Sequence, residues 1–203
     1  MHLLLIRHGR HGVPAVPEEG NLTLQGLEQA RLTGKVLANR GVERLFCSPY
    51  VRAMQTGLVI SRMTSLPVEI MVQLHNRVRP RERIPGRDEI AARYPDFILP
   101  DDLPEDWSPG GEEWREVYRR AALARDHLVS LEGEHDRVAA VTHAWPLDAL
   151  TSLLVGARPR SRMRFWFDNC STTLVSVNRG KGRLHYLNDV SHLKPASRPL
   201  FFG

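Results

Sequence analysis

Two histidines and two arginines stand where apolar runs give way to polar chain. Leu3-Leu4-Leu5-Ile6 stops at Arg7-His8-Gly9, and Val138-Ala139-Ala140-Val141-Thr142 stops at His143. Short apolar runs of this kind read as buried parallel strands. In an open α/β sheet, ligands bind in the crevice beyond the carboxyl ends of the strands. Two imidazoles at two such ends can face one pocket, with Arg7 beside them. Arg52 follows a third run, Leu45-Phe46-Cys47, at the start of an expected helix.

These residue types suit a phosphoryl group. Its transfer is catalysed mostly by positioning and by stabilising charge on several oxygens. A planar guanidinium binds two of those oxygens at once. An imidazole attacks phosphorus when it is neutral and one ring nitrogen is free. Neighbouring cations disfavour imidazolium, so Arg7 and Arg52 push His8 toward its nucleophilic form. The product is a covalent phosphohistidine that water or another acceptor then relieves. Gly9 is expected to let the backbone approach the phosphate with no Cβ in the way.

The elements that must hold these groups follow from pattern. Leu3–Ile6 reads as the first strand, followed by a Pro- and Gly-containing loop to Asn21. Thr23 is the N-cap of a helix with Leu27, Ala30, Gly34 and Leu37 on one face, stopped near Gly41. After Leu45–Cys47, Ser48-Pro49 reads as a cap followed by proline at the first helical position, opening a helix to about Arg62. Val68–Val72 reads as a strand. Residues 73–111 are rich in Pro and Arg, with helical patterning only over Asp88–Tyr94, and read as an insertion over the site. Trp114, Val117, Tyr118, Ala121, Leu128 and Leu131 then recur at helical spacing. A helix opened by Pro146 follows the Val138 run. The strands Thr173–Val177 and Leu184–Leu187 close the chain as a hairpin. Strands alternating with helices predict a layered α/β fold: a three-layer α/β/α sandwich around a mostly parallel sheet, one domain over 1–203.

Of the 203 residues, 42% are hydrophobic and 25% charged, the proportions of a soluble globular protein. No apolar run approaches a membrane span, and Leu3–Ile6 is too short for a signal-peptide core. The two cysteines, Cys47 and Cys170, offer neither a disulfide framework nor zinc spacing. A cytoplasmic location is expected. The net charge of +5 favours an anionic substrate, and no nucleic-acid motif accompanies it. The expected partner is a small anionic phosphorylated substrate, without nucleic acid or membrane, and a homodimer remains open.

The landmarks run in a familiar order. Arg7-His8-Gly9, Asn21-Leu22-Thr23 with Gly26 and Gln29-Ala30, and Ser48-Pro49-Tyr50-Val51-Arg52-Ala53-Met54-Gln55-Thr56 come first. Gly110-Gly111-Glu112, Val141-Thr142-His143, Asn169-Cys170-Ser171 and Leu187-Asn188-Asp189 with His192-Leu193 follow. Together they resemble the histidine phosphatase superfamily, the phosphoglycerate-mutase-like group, over nearly the whole chain. The resemblance implies that His8 is the phosphorylated nucleophile. It implies that Arg7, Arg52 and His143 hold the phosphate oxygens, with Gly9, Asn21 and the backbone N–H of Ala144 contributing to substrate binding. No metal and no cofactor are implied.

The chain departs from the family pattern at two places. The glutamate that protonates the leaving oxygen belongs in a Leu-x-Glu, and here that segment reads Leu74-His75-Asn76. An amide cannot act as the acid. Glu82, the nearest carboxylate downstream, is the candidate replacement; His75, Asp88 and Glu89 rank below it. After Gly9, Arg10-His11 replaces the family's Glu-Thr or Glu-Ser; pointing inward, these would add positive charge to the site. Arg77, Arg79, Arg81, Arg83, Arg87 and Arg93 of the insertion are further candidates to clamp an anion. His127, His135, His185 and His192 read as structural or surface residues, and Trp107, Trp114 and Trp166 as packing residues. Trp145 reads as pocket wall or core. The expected activity is a metal-independent phosphatase acting through phospho-His8. The alternatives are phosphoglycerate-mutase-type transfer and a non-catalytic phosphate-ligand or protein-binding module.

Overall fold

The computed structural model describes residues 1–12, 21–77, 84–105 and 111–193. Among these residues six strands form one sheet: β1 (His2–Arg7), β2 (Arg44–Cys47), β3 (Val68–Ile70), β4 (Arg137–Thr142), β5 (Thr172–Asn178) and β6 (Lys181–Asp189). Their spatial order is β3-β2-β4-β1-β5-β6. β3, β2, β4 and β1 run parallel; β5 is antiparallel to both β1 and β6. Among the described residues five α-helices accompany the sheet: α1 (Leu24–Asn39), α2 (Val51–Thr64), α3 (Arg87–Arg93), α4 (Trp114–Ser130) and α5 (Ala144–Leu154).

The continuous apolar strands feed two cores because their side chains alternate across the sheet. Leu4, Ile6, Leu45, Cys47, Ala139 and Val141 pack with α1 and α2 on one face. Leu3, Leu5, Phe46, Val138 and Ala140 pack with α4 and α5 on the other. This is the expected three-layer sandwich. Leu3, Leu4, Leu5 and Ile6 are all fully buried, each contributing about 1.5–3 kcal/mol of apolar burial. That anchors β1, and with it the residues that follow.

Several expectations need correction. The α1 face that turns inward is Gly26, Gln29, Ala30, Thr33, Gly34 and Leu37, while Leu27 lies outside it and is exposed. Thr23 does cap α1, its hydroxyl accepting from the Gly26 N–H at 3.1 Å. Ser48 does not cap α2; Tyr50 is the N-cap residue, and Ser48 is taken up by the site. The third strand ends at Ile70 and passes into a 3-10 turn over Val72–Leu74. α5 starts at Ala144, two residues before Pro146, whose missing N–H falls in the first turn where none is needed. Trp166 is 64% exposed and does not pack. The closing hairpin turns on two residues, Arg179 and Gly180, both at positive φ, which matches the twist of the paired strands.

Residues 84–105, part of the stretch expected over the site, do not line its cavity; they pack beside β3 and onto the α1–α2 face. Ile98 exchanges backbone hydrogen bonds with Val68 and Ile70 of β3. Ile84, Ile90, Tyr94, Phe97 and Leu103 enter the core on the α1–α2 face. Arg87 bonds to the Pro100 carbonyl and Arg93 lies over Tyr94, so neither is a phosphate clamp. Glu82, Arg79, Arg81, Arg83 and Trp107 lie outside the described residues. Among the described residues no helix is long and apolar enough to cross a membrane.

Candidate active site

The parallel register builds the site. Arg7 pairs with Thr142 and Cys47 with Val141, so Ser48, His143 and His8 follow side by side beyond the ends of β2, β4 and β1. The ladder continues one step: His8 N–H donates to the Thr142 carbonyl at 2.9 Å, and Ser48 N–H to the Val141 carbonyl at 3.0 Å. The rings of His8 and His143 lie 4.9 Å apart. Arg7, His8, His11, Arg52, Asn76, His143, Ala144, Trp145 and Met163 line one cavity of about 270 Å³.

Both central imidazoles are buried. His8 Nδ1 lies 2.8 Å from the Gly9 carbonyl, which can only accept, so the ring proton sits on Nδ1 and Nε2 keeps a lone pair. Burial, then the Arg52 and Arg7 charges, hold His8 well below the usual imidazole range. His143 is held low for the same leading reasons, burial and then Arg52. His143 Nε2 is 2.8 Å from the Ser48 hydroxyl. The Ser48 oxygen also accepts from the Tyr50 N–H, so its own hydrogen is spent best on His143 Nε2. The ring proton then belongs on Nδ1, which has no hydrogen-bond partner among the described residues. Tyr50 packs edge-on against His143, and the Arg52 guanidinium lies 4.6 Å over the Tyr50 ring.

Arg7 is anchored from behind by the Phe167 carbonyl. Burial pulls its guanidinium below its ordinary value, and the Asp168 charge opposes that. Asn169 Nδ2 donates to the His8 carbonyl at 3.0 Å, and Cys170 N–H to the Arg7 carbonyl at 2.9 Å. The 167–170 turn therefore buttresses both residues.

Gly9 and Asn21 do other work than expected. Gly9 does not line the cavity; a Cβ there would lie 2.6 Å from the Gly26 carbonyl oxygen of α1, and its N–H is spent on Thr56 Oγ1 at 3.0 Å. Its lack of a side chain serves helix packing. Asn21 is also outside the lining: its side chain accepts from Gln55 at 2.8 Å and its carbonyl from the Gly12 N–H at 3.1 Å, tying the 9–12 loop to α2. Ala144 opens α5 at the cavity. Of the two basic loop residues, Arg10 turns outward onto Gln25, whereas His11 turns in, its ring 5.2 Å from that of His8. Trp145 forms wall, with Arg77 5.1 Å above its ring. The sequence points to no site role for Ser48, Met163 or the 167–170 buttress, although Ser48 and Asn169-Cys170 stand inside the family landmarks.

Asn76 lines the cavity where the acid was missing. His75 lies behind it, its Nδ1 bonded to the Asn76 carbonyl, and burial followed by the Arg120 charge pushes it down to about 4. Among the described residues the lining holds no carboxylate, and no cluster of His, Cys, Asp or Glu could hold a metal ion.

The sequence profile of the histidine phosphatase superfamily (branch 1) matches residues 3–190. The chain belongs to that superfamily. It is 26% identical over 206 residues to a Hydrogenobacter thermophilus protein named "Putative phosphoserine phosphatase 2", covering 95% of this chain and 97% of that one. It is 25% identical over 192 residues to "Probable phosphoglycerate mutase GpmB" of Yersinia enterocolitica, covering 86% and 84%. Its fold is that of mycobacterial glucosyl-3-phosphoglycerate phosphatase, with a TM-score of 0.71 at 21% identity, over 92% of this chain and 98% of that one.

Proposed function

We propose that this protein hydrolyses small anionic phosphomonoesters through a phosphate carried on His8 Nε2. The observation that carries the reading is the His8 ring itself: buried, neutral, its Nδ1 proton engaged by the Gly9 carbonyl, and flanked by Arg7, Arg52 and His143 around one cavity. A neutral imidazole with a fixed tautomer needs no proton removed before it attacks. Nε2 forms a bond to phosphorus, the ester P–O bond breaks, and its electron pair leaves with the alcohol oxygen. The two guanidinium groups and the His143 Nδ1–H stabilise the equatorial oxygens as charge redistributes. Water then attacks phosphorus, the N–P bond breaks, and inorganic phosphate departs. A cavity of about 270 Å³ suits a phosphate with a small organic group attached.

The test is hydrolysis of p-nitrophenyl phosphate without added metal, by wild type and His8→Ala. The expected loss in the variant is about 10³-fold or more. A radiolabelled phosphoryl group should appear on wild-type protein after an alkaline quench, be released by acid, and be missing from the variant. Unchanged turnover in His8→Ala would remove the proposal.

A further inference from the structure

We propose that His11 is the acid that protonates the leaving oxygen, a task for which Asn76, at the position expected for the acid, presents an amide. The proposal rests on the phospho-His8 reading. Three observations support it. First, His11 lines the same cavity, with its ring 5.2 Å from that of His8, so a phosphoryl group on Nε2 brings the ester oxygen within its range. Second, its placement is fixed by backbone. Arg10 N–H donates to Gln29 Oε1 at 2.9 Å, the Arg10 carbonyl accepts from Thr23 N–H at 2.9 Å, and His11 bridges to Leu22. Gly26 leaves the Arg10 carbonyl room, since a Cβ there would fall 2.0 Å from it. With the Arg10 side chain held outside by Gln25, the next residue is delivered inward. Third, the ring's orientation leaves Nε2 as the atom that exchanges a proton. Nδ1 lies 3.0 Å from the Gly12 carbonyl, an acceptor only, so Nδ1 keeps its hydrogen; Nε2 carries the mobile proton of the imidazolium and a lone pair in the neutral ring.

Solvent access separates His11 from the other imidazoles at the site. His8, His143 and His75 are buried and held neutral. His11 is half-exposed, so water can restore its proton between turnovers. A phosphate dianion bound between Arg7 and Arg52 favours imidazolium on its neighbour. In the first half-reaction the His11 Nε2 proton passes to the departing alkoxide. In the second, neutral His11 Nε2 takes a proton from the attacking water, and the N–P electron pair returns to His8.

The experiment compares a leaving group that needs protonation with one that does not. His11→Gln and His11→Ala are assayed on an alkyl phosphate, such as glycerol phosphate, and on p-nitrophenyl phosphate, with folding checked by circular dichroism. The alkyl rate is expected to fall about 10²-fold or more, and the nitrophenyl rate by less than about threefold. Glu82→Gln serves as comparison and is expected to leave the ratio of the two rates unchanged. Equal losses on both esters, a wild type inactive on alkyl phosphates, or a ratio that shifts in Glu82→Gln instead would overturn the assignment. None of these touches the phospho-His8 reading, which stands or falls on the His8→Ala labelling.

Discussion

Acid should unfold this protein partly through one residue behind the cavity wall, His75. Its ring is buried; the Arg120 guanidinium donates to its carbonyl at 2.7 Å and to that of Gln73 at 2.9 Å. Burial and Arg120 push the imidazole from 6.5 down to about 4. Between those values the unfolded chain binds a proton that the folded chain refuses. The group therefore contributes stability above about pH 6.5, and that contribution is lost as pH falls toward 4. Two and a half pH units span the window, and 1.4 kcal/mol corresponds to each, so pH 5 lies far enough inside it to cost about 2 kcal/mol. With a urea slope of roughly 2 kcal/mol/M, the midpoint moves by about 1 M. Wild type and His75→Gln should be unfolded in urea at pH 7.5 and pH 5. His2, His8, His143 and His192 are also shifted down, so both proteins lose stability in acid. The difference between their losses isolates His75: the variant should lose about 2 kcal/mol less. Parallel losses would refute the reasoning, because they would mean that His75 charges as readily in the folded chain as in the unfolded one.

Two further outcomes follow from the packing of the site. Ser48→Ala strips His143 Nε2 of its 2.8 Å partner, and leaving a buried polar atom unpaired costs about 1–3 kcal/mol; kcat/KM on p-nitrophenyl phosphate should fall by about tenfold or more and inhibition by vanadate should weaken, whereas an unchanged inhibition constant would show that His143 is held otherwise. Gly9→Ala places a Cβ 2.6 Å from backbone of α1, so the melting temperature should drop by several degrees with loss of turnover, while Gly12→Ala, with nothing within 4 Å of its Cβ, should melt with wild type.

What the chain declares by itself is what repeats locally. Leu3–Ile6 and Val138–Val141 are apolar on both faces because both faces are covered, and the helical spacing from Val117 to Leu128 marks α4. The pairing of His8 with His143 was legible because each ends such a strand and parallel strands end together. Other assignments needed three dimensions. Ser48 carries a helix-cap pattern, yet the sheet register sets it beside His143, so its hydroxyl meets the buried imidazole while its oxygen accepts from the Tyr50 N–H. Gly9 follows the nucleophile in sequence but meets α1 in space. Residues 84–105 carry too little periodicity to reveal that Ile98 would extend the edge at β3. Arg10 and His11 are adjacent and both basic residue types; only the hydrogen bonds of the loop to Gln29 and Thr23 decide which faces the nucleophile. A side chain's type is written in the chain, but its partners are chosen by elements that lie far away along it, and the chemistry of this site depends on those partners.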